Sequence, residues 1–454
     1  MDFFITFMLF THVMSKKNFL MHSVPLFFYT TFFPLILGTA RVLSPLHPKL
    51  RTFFQVRNGL FDTLEHKINH LSPSAFRVWI HAASVGEFEQ ARPIIAALKE
   101  KRPDITFFVS FLSDSGYNMR KNFPDAAAVF YLPIDTQANA KKLVSLLKPD
   151  ILLLMRYDFW PNHLLEAKKY GTKLILAAAV LQENAPYFKP VVKKFYRSIF
   201  HLFDKIYTVS LKDTLAFREI FLCPQAQTAG EPRFDQVFTR SKNSSRVDHL
   251  KLFFEHKTVL VAGSVWEKDV TLLLTAWQEL EKRPSLILVP HEVYPEHMAR
   301  LCHELQKRSL AFVRASTRDE KFDPDREVLV IDQIGYLVEL YSLASIAYVG
   351  GGFGVNVHNT LEPAVYGIPV LFGPRCHNSP EAEALADTGG ATVIYDHTTL
   401  STALNILMTN IAERKRKGEI AATFVQERTG ATATIVECIE SLLSCPSVKE
   451  RACP

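Results

Sequence analysis

From about residue 75 onward, short apolar runs alternate with amphipathic stretches. The first series is VWIHA, ITFFVSF, AVFYLP, ILLLM, KLILAAA and KIYTVS. These runs are apolar throughout rather than alternating, which predicts strands buried on both faces, as in a parallel sheet. Residues 90–99 and 139–147 lie between them and carry helical periodicity. A second series follows: TVLVAGS, LILVP, AFVRAS, EVLVID, IAYVGG, PVLFGP and ATVIYD. The two series are separated by the polar stretch Thr239–Val247, TRSKNSSRV, which reads as a linker. The stretch from Ile420 to Leu443 reads as helix. The pattern predicts an α/β chain of two Rossmann-like, doubly wound domains, 46–238 and 248–430. Residues 431–454 then form a helix and tail that could brace the first half. In doubly wound sheets, ligands bind outside the carboxyl ends of the strands. The chemistry is therefore expected on loops that follow strands.

The N-terminal 45 residues have a different pattern. No Asp, Glu, Lys or Arg occurs between Lys17 and Arg41, and the stretch is rich in Phe. As a helix it would nearly cross a hydrocarbon core of about 30 Å. Pro25 and Pro34 would kink it, which a membrane helix tolerates. Three readings stand: a membrane anchor or interfacial segment, a signal peptide cut near Gly38-Thr39-Ala40, and a buried hairpin. The apolar region is long for a signal peptide, which favours the anchor. Arg41, Lys49, Arg51 and Arg57 outnumber Lys16 and Lys17, and that bias places the following domain in the cytoplasm.

Charge and cysteines narrow the field. A net charge of +6 over 454 residues is compatible with an anionic substrate or membrane surface and does not require nucleic acid. The six cysteines form no C-x-x-C pair, so neither a disulfide framework nor a zinc site is expected, and the compartment reads as reducing. Asp323-Pro324-Asp325 has D-x-D form but lies in a charged loop and reads as a solvated turn. Lys189, Lys193, Lys194 and Arg197 interleave with Phe188, Phe195 and Tyr196. They read either as a membrane-facing strip or as a solvated helix face.

Two stretches carry candidate chemistry. In IAYVGGGFGVNVHNTLEPAVYGIPVLFGP an apolar strand runs into Gly350-Gly351-Gly352, and a helix is predicted to begin near His358-Asn359. Glycines admit an anion close to backbone N–H groups, and a helix N-terminus adds to the attraction. Glu362 is placed to accept the hydroxyls of a ribose. A tightly packed strand–turn–helix is the bland alternative. Gly263 and Ser264, at the end of the first strand of the second half, are further candidates for a donor phosphate. In HAASVGEFEQAR, Glu87 follows a strand and opens a helix. There it is either a general base facing the site or a carboxylate that only satisfies the helix dipole.

These stretches resemble the Kdo transferases, glycosyltransferases of the B fold that move 3-deoxy-D-manno-oct-2-ulosonic acid (Kdo) from CMP-Kdo to the lipid A precursor. The resemblance runs from about residue 50 to 440. It rests on HAASVGEFEQAR, MRYDFWPN (155–162), GEPRFDQV (230–237) and the glycine stretch, in that order. It implies two domains facing across a cleft, an N-terminal membrane anchor and a place on the cytoplasmic face of the bacterial inner membrane. It implies Glu87 as general base with inversion at the sugar, and Asp158 as the second acid, where the family usually has Glu. An Asp158–Arg156 pair holding the loop is the bland reading of that position. For the donor it implies Gly263, Ser264, His291, Gly350, Gly351, Gly352, Asn359 and Glu362. For the acceptor the candidates are Ser84, Gly86, Ser113, Ser115, Gly116 and Arg233, the last being equally a salt-bridge former. No cofactor or metal is implied. Two departures stand out: Pro290-His291-Glu292 replaces an Arg-His pair, and VLQENAPYFKP follows KLILAAA. The rival readings are another sugar-nucleotide enzyme of the same fold, such as a UDP-sugar transferase or epimerase, and a membrane-tethered nucleotide-binding protein without catalysis.

Overall fold

The computed structural model describes residues 24–71, 76–182 and 185–444. They fall into two compact units. Unit 1 comprises the residues up to Arg233 together with those from Gly430 onward, and unit 2 runs from Phe234 to Thr429.

Unit 1 holds seven strands: β1 (Phe76–Ala82), β2 (Ile105–Phe111), β3 (Ala128–Tyr131), β4 (Ile151–Met155), β5 (Lys173–Ala179), β6 (Lys205–Thr208) and β7 (Ala226–Thr228). They form one sheet in the order β3-β2-β1-β4-β5-β6-β7, and every pairing is parallel. Period-two geometry splits each apolar run between two cores. Trp79, Phe108, Leu152 and Leu154 enter one, while Val78, Ile80, Val109 and Leu153 enter the other. The strand order reverses between β1 and β4, so the loops after these two strands flank the switch point of the sheet. The short edge strand β7 has no apolar run, and periodicity does not mark it.

Unit 2 repeats the plan with β8 (Val259–Val265), β9 (Ser285–Pro290), β10 (Ala311–Arg314), β11 (Glu327–Val330), β12 (Ile346–Val349), β13 (Val370–Phe372) and β14 (Ala391–Val393). The order is β10-β11-β9-β8-β12-β13-β14, again parallel, with its switch point between β8 and β12.

Three segments differ from the sequence reading. The polar stretch 239–247 is not an open linker. The helix Pro232–Ser241 runs into it, a short 3-10 turn occupies Ser245–Val247, and the units divide at Arg233/Phe234. Phe234 and Val237 are buried in unit 2, so the polar residues mark only the exposed side of a helix end. Second, the C-terminal helical stretch is two helices, Ile411–Gln426 and Ala431–Ser444, parted at Gly430, whose φ of 114° is open to glycine. The last helix belongs to unit 1, where Ile435, Val436 and Ile439 complete the core around the helix Val85–Lys101. Third, the aromatic residues of 188–197 point inward, with Phe195 buried and Phe188 and Tyr196 packed on the core.

At the N-terminus, residues 1–23 lie outside the described residues. Val24–Leu43 is one helix with Pro34 inside it, and Leu26–Leu46 is long and apolar enough to cross a membrane by length and composition. Its first half is docked on unit 1. Leu26 and Tyr29 are buried there, and the Tyr29 hydroxyl donates to Asp135 Oδ2 at 2.9 Å. Its second half leaves Leu35 and Val42 exposed.

Candidate active site

The loop after β1 positions Glu87. Ser84 is the N-cap of the helix Val85–Lys101 and its hydroxyl accepts from the Glu87 N–H, while Glu87 Oε2 accepts from the Ala83 N–H. This is a near-reciprocal cap, and it commits one carboxylate oxygen. Oε1 takes no hydrogen bond from the described residues. Burial pushes the Glu87 carboxyl above the usual carboxylate range. The Ala83 N–H opposes that rise, Asp158 adds to it, and His81 and Arg156 work against it.

The loop after β4 positions Asp158. Its Oδ2 accepts from His81 Nε2 at 2.9 Å and from Trp160 Nε1 at 3.0 Å. The Asp158–Arg156 pair, the alternative reading of this loop, does not form among the described residues. Arg156 sits in the left-handed region, at φ 63°, and turns its guanidinium to Gln90 Oε1 and Glu231 Oε2, at 3.1 and 3.2 Å. Glu231 also accepts from Gln90 Nε2 at 2.7 Å and pairs with Arg233. Arg233 is thus engaged within unit 1. Around Glu87 and Asp158, therefore, unit 1 gathers an imidazole, two guanidinium groups and a buried third acid.

The acceptor-side candidates divide by what they already do. Ser84 is a cap, and so is Ser113, whose oxygen accepts from the Gly116 N–H at 3.2 Å. Gly116 is small because a Cβ there would meet the Phe111 ring at 2.5 Å. A Cβ at Gly86 would meet only Ser84 Oγ, at 4.0 Å, and Ser115 is exposed, so these two remain open to a ligand.

In unit 2 the glycine run follows β12. A Cβ on Gly350 would lie 2.3 Å from the Ser264 carbonyl oxygen, and one on Gly352 would lie 2.6 Å from Gly373 Cα. The loop is held by Asp269, which is fully buried. Its Oδ2 accepts from the Gly351 and Trp266 N–H groups, and its Oδ1 from the Tyr348 hydroxyl, each at 2.9 Å. The predicted helix begins later than His358, at Leu361, and covers only Leu361–Ala364. Its dipole is correspondingly small, and backbone N–H groups of the loop carry more of any anion contact. Asn359 donates to Glu362 Oε1 at 3.1 Å and accepts from the Leu361 N–H. Gly263 lies inside β8, where a Cβ would strike the Tyr341 hydroxyl at 2.1 Å. Tight packing accounts for it. Ser264, next along, adopts φ 53°.

His291 lies in a stack that sequence reasoning missed. Its ring packs on Trp266 at 4.6 Å and on His358 at 4.2 Å between centroids. Trp266 Nε1 donates to His358 Nε2 at 2.9 Å. Burial lowers both imidazoles, His358 to about 4, so the pair is neutral near pH 7 and brings no cation in place of the departed Arg. A cavity of about 790 Å³ adjoins the stack, lined by Trp266, Lys268, Thr271, Pro290, Arg300 and Gly354. His81, Trp266, His358 and Asp269 were all invisible as site residues. His81, Trp266 and Asp269 lie in or just after apolar runs, and His358 lies in the glycine stretch, where it reads only as the start of a helix.

Two units of this kind, each a parallel sheet with its polar groups at the switch point, give the architecture of the B fold, which glycosyltransferases share with sugar-nucleotide epimerases. A glycosyltransferase from Rickettsia africae shares the architecture, with a TM-score of 0.52 at 12% identity over 82% of this chain and all of that one. Residues 54–236 match the family model described as 3-deoxy-D-manno-octulosonic-acid transferase. The Kdo transferase of Chlamydia muridarum is 30% identical over 377 residues, 81% of this chain and 86% of that protein. That of Haemophilus influenzae is 24% identical over 92% of this chain and 98% of its own length. The chain belongs to the Kdo transferase family.

Proposed function

We propose that this enzyme transfers Kdo from CMP-Kdo to the lipid A precursor, with inversion and with Glu87 as the general base, in lipopolysaccharide synthesis. Glu87 Oε1 takes the proton of an acceptor hydroxyl as that oxygen attacks the anomeric carbon of Kdo. CMP departs to the loop Gly350–Gly352, with Glu362 on the ribose and Asn359 orienting it. Asp158 fixes the electrostatics beside the base. Ser115, Gly86 and the Arg156–Arg233 cluster are candidates to meet the polar head of the acceptor. The apolar helix Val24–Leu43 and nearby cations hold the enzyme at the inner membrane, on its cytoplasmic face.

The observation that carries this reading is the state of Glu87. It is a buried carboxyl at a switch point, raised in basicity, with one oxygen anchored and the other uncommitted. A general base contributes typically 10²–10⁴-fold. The test uses CMP-Kdo and the tetra-acylated lipid A precursor without added metal, with the lipid product read by mass. Wild-type enzyme adds one or more Kdo residues. Glu87→Gln binds CMP as the wild type does and transfers at least about a hundredfold more slowly. Normal transfer by that variant would remove Glu87 from the mechanism.

A further inference from the structure

His81 is 2% exposed at the penultimate position of β1, and both of its ring nitrogens are engaged. Nδ1 lies 2.9 Å from Ser110 Oγ on β2, and Nε2 lies 2.9 Å from Asp158 Oδ2 on the loop after β4. Ser110 is fully buried, and its oxygen accepts from Trp79 Nε1 at 2.8 Å. The proton positions follow from the donor and acceptor inventory. A carboxylate only accepts, so His81 Nε2 carries a proton. The indole N–H only donates, so the Ser110 hydroxyl proton is free to point at Nδ1. The chain therefore has one direction: Trp79 N–H to Ser110, Ser110 O–H to His81, His81 N–H to Asp158. Trp160 supplies a second N–H to the same oxygen.

We propose that His81 is a positioning residue of the transfer reaction, which aims the Asp158 carboxylate so that its free oxygen faces the base and the reacting hydroxyl. The proposal rests on the reading of Glu87 and Asp158 given above. Oδ2 is saturated by two N–H donors, while Oδ1 takes no hydrogen bond from the described residues. A core histidine serving packing alone would find both partners inside the core. Here one partner is fully buried, and the other is the acid at the switch point, whose side chain keeps 18% of its exposure. The line Trp79–Ser110–His81 couples the rigid centre of the sheet to a loop side chain that would otherwise be free to rotate. The charged and titratable groups acting on Glu87 are Asp158, His81 and Arg156. Changes at the first two move its titration in opposite directions.

The test uses the full chain in detergent and compares His81→Leu, His81→Gln, Ser110→Ala and Asp158→Asn. His81→Leu removes the donor to Asp158, and kcat falls on the order of 10²-fold, the size expected for a misplaced catalytic group. KM for the sugar nucleotide stays within about twofold, because the donor residues are elsewhere. His81→Gln can still offer an N–H at the Nε2 position and recovers most of kcat. The acid limb of kcat/KM moves to higher pH in His81→Leu and to lower pH in Asp158→Asn. Folded His81→Leu with wild-type kcat and an unmoved acid limb would overturn the proposal. Nitrogen-15 NMR of the histidine rings gives a second readout that needs no turnover. His81 shows the Nε2–H tautomer in wild type and in Ser110→Ala, where Asp158 still accepts from Nε2, and Asp158→Asn, whose amide can donate to Nε2, admits the Nδ1–H form. A wild-type Nδ1–H ring would also overturn it. Wild-type enzyme that fails to add Kdo while showing the Nε2–H tautomer sinks the functional reading and leaves the His81–Asp158 geometry standing.

Discussion

Asp269 offers a clean test of how the glycine loop is held. It lies at the third position of the helix Glu267–Gln278, is fully buried, and receives three donors: the Trp266 N–H, the Gly351 N–H and the Tyr348 hydroxyl. Burial nevertheless pushes its carboxyl above the usual value, with the three hydrogen bonds opposing that rise. Asp269→Ala leaves two backbone N–H groups and a phenol without a partner. At about 1–3 kcal/mol for each abandoned group, partly relieved by entering water, the expected loss is roughly 3–6 kcal/mol. Asp269→Asn should behave differently. Its single oxygen can accept both backbone N–H groups, and its amide can donate to the Tyr348 oxygen, which accepts as readily as it donates. The weaker neutral bonds are offset by removal of a buried charge, so the expected change is within about 1 kcal/mol. Urea unfolding followed through unit 2 tryptophan fluorescence measures both. CMP binding by calorimetry asks whether the loop survives. If the asparagine variant loses as much stability as the alanine variant, the charge itself holds the loop and the donor count is the wrong explanation.

Further predictions follow from other parts of the structure. Arg57 donates to the carbonyls of Leu132, Phe53 and Leu112 at 2.8, 2.8 and 3.1 Å, which ties the chain after the N-terminal helices to the ends of β2 and β3. Arg57→Ala should cost about 2–4 kcal/mol in chemical denaturation, and Lys should rescue only part of it. His358 is depressed from 6.5 to about 4, so the folded state binds its proton less tightly than the unfolded state does. Its stabilisation is complete above pH 6.5 and is lost as pH falls toward 4. For this partly exposed ring the expected size is about 1–3 kcal/mol, and His358→Asn should flatten the slope of stability against pH in that window. Gly352→Ala forces a Cβ to 2.6 Å from Gly373 Cα, and should weaken CMP binding and lower stability by about 1–3 kcal/mol. Burial pushes the Cys223 thiol up to about 12, so it should resist a thiol reagent in the native protein and react once urea unfolds unit 1.

The strands of both sheets that carry apolar runs can be read along the chain, because a run buried on both faces leaves an uninterrupted record. Periodicity missed β7, whose sequence Ala-Gln-Thr has no such record. It also misplaced the division of the chain. Phe234 and Val237 assign the helix Pro232–Ser241 to unit 2 by what they are buried against, and a polar composition a few residues later carries no such information. Glu87 and the glycine run stood out because turn chemistry is local: a small-residue turn before a helix, and glycines where a side chain would collide. His81 did not stand out. It sits inside an apolar run, and its partners Ser110 and Asp158 are 29 and 77 residues away. Asp269 and Trp266 are likewise ordinary in sequence. The sequence alone determined that there would be two parallel sheets and which loops end them, since burial and turn geometry are written in adjacent residues. Only the tertiary structure decided that β1 lies beside β4 and β8 beside β12, because strand pairing is a long-range choice. That choice sets which side chains meet at the switch points.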